Sequence, residues 1–119
     1  MTANTQLISE AFSRHRFTET YEHLAEGVRW ELDGEGVVHG KDAVVAACES
    51  STVEMAKLAS IEFNHFESVA GDRLAVVGAE ARYEDPDGSV SVVSSADVFE
   101  FDGAGQVTTI TSYAVELDA

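Results

Sequence analysis

Long segments of alternating apolar and polar residues fill the second half of the sequence, and they restrict the fold more than any other feature. These segments cover about 59–70, 73–84, 90–101 and 106–116. Between them lie the turn sequences Ala70-Gly71-Asp72, Asp85-Pro86-Asp87-Gly88 and Asp102-Gly103-Ala104-Gly105. Alternation with period two is typical of half-buried strands, and short links rich in Gly and Asp are typical of hairpins. The pattern therefore predicts a four-stranded antiparallel meander.

The first half of the sequence has helical spacing instead. Residues 4–15 contain one apolar stripe, which predicts a helix and consists of Leu7, Ile8, Ala11 and Phe12. Thr18 is a suitable cap for a second, short helix with Tyr21 and Leu24 on one side. Gly40 precedes a third predicted helix over residues 41–57, whose expected buried residues are Val44, Val45, Cys48 and Ala56.

A predicted strand pair separates the second and third helices. Val28, Trp30 and Leu32 alternate with charged residues, residues 33–36 have turn composition, and residues 37–39 form a short return strand. Helices at the front of the chain and strands at its end define an α+β architecture. We therefore expect one domain over residues 1–119, with three helices on one face of a strongly curved antiparallel sheet. The space between the helices and the sheet is the expected pocket for a small ligand.

The charge of the chain argues against several classes of partner. Twenty-two acidic residues against seven basic ones give a formal net charge of −15. Such a charge repels phosphate backbones and anionic lipid surfaces, so we expect neither nucleic-acid nor membrane binding. The same charge keeps a protein in solution, and a halophilic or high-GC source is a second explanation that composition leaves open.

Cysteine content and the N-terminal sequence bear on compartment. Cys48 is the only cysteine, which rules out an intrachain disulfide and zinc sites built on cysteine pairs. Residues 1–6 lack the basic and apolar regions of a signal peptide, and no apolar stretch approaches the ~20 residues that span a bilayer. These features predict a cytoplasmic protein.

Three segments resemble the nuclear transport factor 2-like superfamily and its SnoaL-like members. They are Val28–Leu32, Val38–Val44 and Ala96–Val107, and the order of elements also agrees over nearly the whole chain. The resemblance implies a cone-shaped, cystatin-like fold around a pocket for a hydrophobic small molecule, with no cofactor. This fold hosts isomerases, cyclases, dehydratases, epoxide hydrolases and non-enzymatic binders, so the fold does not select the function.

Asp97 is the main candidate for chemistry. A two-residue hairpin at Gly103-Ala104 would place it opposite residue 110, on a sheet face that it shares with Val93, Ser95, Phe99, Ile110, Ser112 and Ala114. Apolar neighbours raise the pKa of a carboxyl and allow it to act as an acid near neutrality. Alternatively, Asp97 has a structural role and hydrogen-bonds to Ser95 or Ser112.

The resemblance to ketosteroid isomerases places Asp97 on the oxyanion-hole aspartate of that family, which is also a worked example of a protonated catalytic carboxyl. The other two parts of that site are absent from this sequence. The position of the family's tyrosine falls near Ile8, and the position of its general-base aspartate falls near Leu32. We therefore do not expect ketosteroid isomerase activity.

Six further residues are candidates for ligand contacts, and two of them, Phe99 and Ser112, share the predicted face of Asp97. Trp30 and Tyr21 offer aromatic surface with one polar atom each, and core packing is the alternative role for both. Tyr83 reaches the pocket if its strand turns that face inward, whereas a slip of one residue would present Glu80 and Arg82. His65 shares a predicted face with Phe63 and is a candidate base or a partly exposed strand residue. The histidine spacing fits no metal site.

Two function classes remain open. One is a cofactor-independent isomerase, cyclase or dehydratase that uses Asp97 as acid or base, and the other is a non-catalytic ligand-binding module. A closed apolar cavity without a second polar group near Asp97 would favour the second class. We also expect a homodimer through the outer sheet face, where an apolar stripe would otherwise meet water. The expected stripe is Val107, Thr109, Thr111, Tyr113 and Val115.

Overall fold

The computed structural model describes residues 2–117 of the chain. Met1 and residues 118–119, which belong to the predicted domain range 1–119, lie outside the described residues. The elements in chain order are helix α1 (Thr2–Ser13), two short 3-10 helices (Phe17–Glu19 and Tyr21–His23), β1 (Leu24–Leu32), β2 (Gly36–His39), α2 (Lys41–Met55), β3 (Ser60–Ala70), β4 (Leu74–Glu84), β5 (Val90–Phe101) and β6 (Val107–Leu117). Neither α-helix of the described range combines the length and the apolar character needed to cross a membrane.

The α+β class is confirmed, and the predicted strands agree with the structure to within one residue at either end, except that β1 begins at Leu24, four residues before the predicted start at Val28. The six strands form one curved, open sheet in the order β2-β1-β6-β5-β4-β3. Neighbouring strands are antiparallel except for β1 and β6, which run parallel. The β1–β6 pairing joins the first half of the chain to the meander, so β1 lies between the edge strand β2 and the strand β6.

Helix α1 packs on the sheet with a face that differs from the predicted stripe. Ile8, Ala11 and Phe12 are buried, but Leu7 is 65% exposed, so its assignment to the buried stripe was wrong. Two small polar residues take the position against the sheet. The Thr5 hydroxyl donates to the carbonyl of Gly71 (2.7 Å), and the Ser9 hydroxyl donates to the carbonyl of Thr5 (2.8 Å). Because their hydroxyls are satisfied, these side chains can be buried.

The second predicted helix does not form as an α-helix. Residues 17–23 make two single 3-10 turns, and Leu24 is the first residue of β1 and almost completely buried. The Thr20 side chain, itself buried, donates to the carbonyl of Phe17 (2.7 Å) and closes the first turn. This local hydrogen bond competes with helix continuation, which explains why the prediction of three helices was wrong.

Helix α2 ends two residues before the predicted limit. Val44 and Cys48 are fully buried and Val45 partly so, whereas Ala56 lies beyond the helix and is exposed. Gly40 precedes the helix at φ +97, a conformation that suits glycine. The helix covers β1 and thereby closes one side of the sheet's concave face.

The pairing of β5 with β6 departs from the predicted register through two offsets of one residue. The turn closes one residue later than expected, because the Asp102 amide donates to the Gln106 carbonyl (2.9 Å) while Gly105 has φ +82. A three-residue loop with glycine in the left-handed region is a common hairpin connection. Thr108 then forms a bulge, because the residues on either side of it pair with consecutive residues of β5.

These offsets correct two predictions. Asp97 lies opposite Ser112 rather than residue 110, so the predicted register was wrong by two residues. Because the side-chain period of a strand is two, the two offsets together leave Asp97 on its predicted face. Val107 lies between them and faces the core, where it is only 1% exposed, so its placement in the outer stripe was wrong.

Candidate functional site

A cavity of about 280 Å³ lies between the helices and the concave face of the sheet. This volume is close to the lower end of the range that is typical of ligand pockets, roughly 300–1,000 Å³. Helices α1 and α2, the first 3-10 turn and strands β1, β3, β4, β5 and β6 all contribute to its wall. The lining residues are Phe12, Ser13, His15, Phe17, Trp30, Leu32, Ser51, Met55, Phe63, Tyr83, Val93, Ser95, Asp97, Ser112, Tyr113 and Ala114.

Asp97 is the carboxyl group of this wall, and both of its oxygens accept hydrogen bonds. The Ser13 hydroxyl donates to Oδ2 (2.7 Å) from the end of α1, and the Ser112 hydroxyl donates to Oδ1 (2.6 Å) from the facing strand. The Trp30 indole Nε1–H donates to the Ser112 oxygen (2.9 Å). A chain of hydrogen bonds that crosses three strands therefore fixes the orientation of the carboxyl group. The expected bond to Ser112 is present.

Burial is the strongest influence on the charge of Asp97, and it raises the pKa of this carboxyl. The hydrogen bonds from Ser112 and Ser13 and the charge of His15 lower the pKa, but they compensate only in part. No lysine or arginine is found among the described residues that line the cavity. Burial in this wall therefore shifts the protonation equilibrium of Asp97 toward the neutral acid, relative to an exposed aspartate.

Aromatic rings form much of the remaining wall. The ring of Phe12 lies edge-on to those of Trp30 (centroids 5.1 Å apart) and Phe17 (4.9 Å apart). Trp30 belongs to the buried core and lines the cavity at the same time, so the two roles considered for it in the sequence coexist. Leu32, near the position of the ketosteroid isomerase base, also lines the cavity, whereas Ile8 is a core residue.

Strand β4 turns Tyr83 toward the cavity. Tyr83 pairs with Ile61 on β3 and with Ser91 on β5. Burial raises the pKa of the Tyr83 phenol, and the charge of Asp97 adds to this effect. Arg82 lies on the opposite face, where its guanidinium contacts Glu84 (3.0 Å). The register that presents Tyr83 is therefore the one in the structure, and the alternative with Glu80 and Arg82 facing Asp97 is wrong.

The structure places three other predicted site residues away from the cavity wall. Tyr21 donates its hydroxyl to Glu49 on α2 (2.8 Å) in an exposed position. Phe99 is fully buried in the core beneath the cavity. His65 lies on the outer face, where its Nε2 is 3.1 Å from a carboxylate oxygen of Glu67.

A bulge explains the position of His65. Phe63 pairs with Ala81 and His65 with Glu80, so Asn64 is an extra residue in β3. One extra residue reverses the alternation, and Phe63 and His65 therefore point to opposite faces. Phe63 consequently lines the cavity.

Besides Ser51 on α2, sequence reasoning missed two polar residues of the site, Ser13 and His15. Both lie at the end of α1, and their contact with β5 depends on how the helix packs across the sheet. Burial lowers the pKa of His15, while the charge of Asp97 raises it by a smaller amount. A polar cluster directly after an apolar helical stripe is the only signal that pointed to them. In the part of the chain that is described, no three His, Cys, Asp or Glu side chains converge as metal ligands would.

Comparisons with known proteins agree with this geometry. The SnoaL-like domain family matches residues 5–110, and the chain therefore belongs to the SnoaL-like domain family. A nuclear transport factor 2-like protein of unknown function from Cytophaga hutchinsonii is 26% identical, with a TM-score of 0.83 over 97% of this chain and 99% of that chain. A search of curated proteins found no match.

Two more distant structures share the fold. One is the epoxide hydrolase/cyclase-like enzyme SalBIII, described in pyran ring formation in the polyether salinomycin, with 18% identity and a TM-score of 0.68 over 95% of this chain and 91% of that chain. The other is a SnoaL-like polyketide cyclase, described as putative, from Mesorhizobium loti, with 16% identity and a TM-score of 0.64 over 93% of this chain and 96% of that chain.

Proposed function

We propose that the protein is a cofactor-independent acid–base enzyme of the isomerase, cyclase or dehydratase type, acting on a hydrophobic small molecule. Asp97 is the proposed catalytic group. The observation that carries this proposal is a carboxyl held by two serine hydroxyls in an apolar wall, with a pKa raised by burial. Carboxyls adjusted in this way donate or accept protons near neutral pH.

The cavity wall also supports the proposed class of ligand. Aromatic and aliphatic side chains dominate it, and the described lining contains no lysine or arginine to neutralise an anion. We propose that Trp30 and Tyr83 contact the body of the ligand and that Ser112 orients Asp97 toward it. Two structures with this fold are described as cyclase or cyclase-like proteins, which supports a related chemistry here.

A non-catalytic ligand-binding module is the second candidate, and the apolar, aromatic wall is the feature that favours it. The criterion that separates the two classes is a second polar group near Asp97. His15 and Tyr83 line the same cavity, and each interacts electrostatically with Asp97. This arrangement favours catalysis over simple binding.

A thermal-shift screen of uncharged aromatic and alicyclic compounds tests the proposal. A specific ligand at 100 times its dissociation constant should stabilise the fold by about 2.7 kcal/mol. Each ligand found is then incubated with wild-type protein, Asp97→Asn and the control Glu100→Gln, whose exposed carboxyl lies on the same strand. We expect turnover to be lost only in Asp97→Asn. A ligand that binds all three proteins and is never converted would establish the binding module instead.

We also propose that the outer face of the sheet binds a second copy of the chain. Although the net charge is −15, the centre of this face is uncharged over three neighbouring strands. Its residues are Val76, Gly78, Ala96, Val98, Thr111, Tyr113 and Val115. Val115 is exposed there, as is Tyr113, which also contributes to the cavity wall, and exposed apolar patches commonly mark interfaces. Analytical ultracentrifugation at micromolar concentration should show a dimer that Val115→Lys dissociates, and a wild-type monomer would contradict the proposal.

A further inference from the structure

We infer that residues 113–117 of β6 form a free sheet edge that binds an extended peptide segment in which apolar and basic residues alternate. The segment would be added to the sheet as a further strand. This edge borders the cavity, but binding there does not involve Asp97. The inference depends on three observations: unpaired backbone groups, the lack of features that protect the other edges of the sheet, and the negative charge around this edge.

Strand β6 continues past the end of its neighbour β1. The pairing of β1 with β6 ends where Leu32 lies opposite Ser112, and the chain then turns away through residues 33–36. On its other side, β6 remains paired with β5 as far as Leu117. No described residue pairs with residues 113–117 on the side of β1, and all five are exposed.

The free backbone groups of this edge belong to alternate residues. The Asp33 amide donates to the Ser112 carbonyl (3.0 Å), so the backbone groups of Ser112 point to the side of β1. Residues two apart in an extended strand have the same orientation. The N–H and C=O groups of Ala114 and Glu116 therefore point to the same side, where the strand β1 is no longer present. Such a row of unpaired groups is a template for another strand.

The two outermost edges of the sheet are protected, whereas this edge is not. Strand β2 is an edge of only four residues, and β3 has a bulge at Asn64 and carries the charged residues Glu62 and Glu67. Short length, bulges and charges all discourage the addition of a strand. Residues 113–117 contain no proline, no basic residue and no shift in register, and three of the five are apolar or aromatic. This edge therefore remains open to a further strand.

The space and the charge beside the edge indicate what it would bind. A groove of about 370 Å³ lies there, and Asp33, Tyr113, Ala114 and Val115 contribute to its wall. Asp33 lies at one end of the edge and exposed Glu116 near the other, and the whole chain has a net charge of −15. This field attracts lysine and arginine and repels acidic segments, including the edge of a second copy. The expected occupant is therefore a peptide segment with basic residues.

An antiparallel segment would use all four free groups. Residues opposite Ala114 and Glu116 would each exchange two hydrogen bonds with β6, because antiparallel strands pair in this way. Their side chains would lie on the same face as that of Glu116, which favours lysine or arginine there. The residue between them would lie beside Val115 on the outer face, which favours an apolar side chain. The backbone groups point along the sheet, so this contact uses different atoms from the proposed dimer contact.

Amide hydrogen exchange, measured by NMR with and without the peptide Ac-Val-Lys-Val-Lys-Val-NH2, tests the inference. In the proposed register the two lysine amides face β6 and the valine amides point away. N-methylation of both lysine amides therefore removes the donors to β6. N-methylation of the second and third valines is the matched control, because it leaves those donors intact. The peptide Ac-Val-Glu-Val-Glu-Val-NH2 tests the requirement for basic residues.

In the free protein we expect fast exchange at Ala114 and Glu116 and slow exchange at Tyr113 and Val115, whose amides face β5. The lysine peptide at saturation should slow exchange at Ala114 and Glu116 by a factor of roughly 10 or more. Methylation of the lysine amides should weaken binding by roughly 10–100-fold, since two hydrogen bonds are lost. Methylation of the valines should change binding much less.

Several results would overturn the inference. One is a lysine peptide that does not bind, or that binds without slowing exchange at Ala114 and Glu116. Equal binding of the two methylated peptides would show attraction by charge alone, and equal binding of the glutamate peptide would remove the requirement for basic residues. Slow exchange at Ala114 and Glu116 in the free protein, lost on dilution, would show that a second copy occupies the edge instead.

Discussion

The replacement Asp97→Asn should change the pH dependence of stability in a defined direction. Burial raises the folded-state pKa of Asp97 above the value of about 3.8 that applies to the unfolded chain. Between these two values the folded state binds more protons than the unfolded state, so the free energy of unfolding of the wild type falls as pH rises. This contribution is fully present below the unfolded pKa and is lost once pH passes the folded pKa. An asparagine has no such dependence.

The size of the effect follows from the linkage relation. The free energy of unfolding of Asp97→Asn relative to wild type should increase by up to about 1.4 kcal/mol per pH unit across that interval and then stay constant. A second term does not depend on pH. The amide offers one acceptor in place of two, so either Ser13 or Ser112 must accept a hydrogen bond instead of donating one. This change should lower the free energy of unfolding of Asp97→Asn by at most about 1 kcal/mol.

Urea denaturation at pH values from about 4 to 7 measures both terms, provided that the m-values of the two proteins agree. Taking the difference between the proteins cancels the titration of the other acidic groups. Glu100→Gln, on the same strand but exposed, is the matched control for the loss of a carboxyl group. A difference for Asp97→Asn that is flat, or that falls with rising pH, would refute the assignment of a raised pKa.

Three further results are expected. Phe12 is buried among aromatic rings, whereas Leu7 is exposed. Urea denaturation should therefore show that Phe12→Ala lowers the free energy of unfolding by about 3–5 kcal/mol and Leu7→Ala by less than about 0.5 kcal/mol. Similar values for the two would contradict this packing. Trp30→Phe should lower the free energy of unfolding by about 1 kcal/mol, because it removes the hydrogen bond from the Trp30 indole to Ser112. An unchanged urea midpoint would contradict a stabilising role for this hydrogen bond. Buried Cys48, whose pKa is raised to about 12, should resist iodoacetamide at about pH 8 until the chain is unfolded, and rapid alkylation of native protein would contradict its burial.

The sequence alone determined the strands and the faces of most of their residues. Alternation of side chains between the two faces is a local property of an extended backbone, so the inward position of Asp97 and the buried position of Trp30 could be inferred from period two. The family resemblance was equally accessible, because the three matching segments are contiguous in sequence. The sequence therefore predicted only those site residues that lie on these strands.

Tertiary structure decided what depends on one element packing against another. The bulges at Asn64 and Thr108 reverse the alternation, and they placed His65 outside and Val107 inside. No local signal marks a bulge, because it satisfies the pairing of a strand that lies elsewhere in the sequence.

The end of helix α1 shows the same limit at the candidate site. Ser13 is 84 residues away from Asp97 in sequence, and it donates to that carboxyl only because α1 crosses β5 at this point. The left-handed conformation of His15 follows from the way the helix terminates over the sheet. Local sterics of an extended strand determine which face of the sheet the Asp97 carboxyl points to. The groups that surround this carboxyl are determined by long-range packing, because each of these contacts depends on the position of a whole helix.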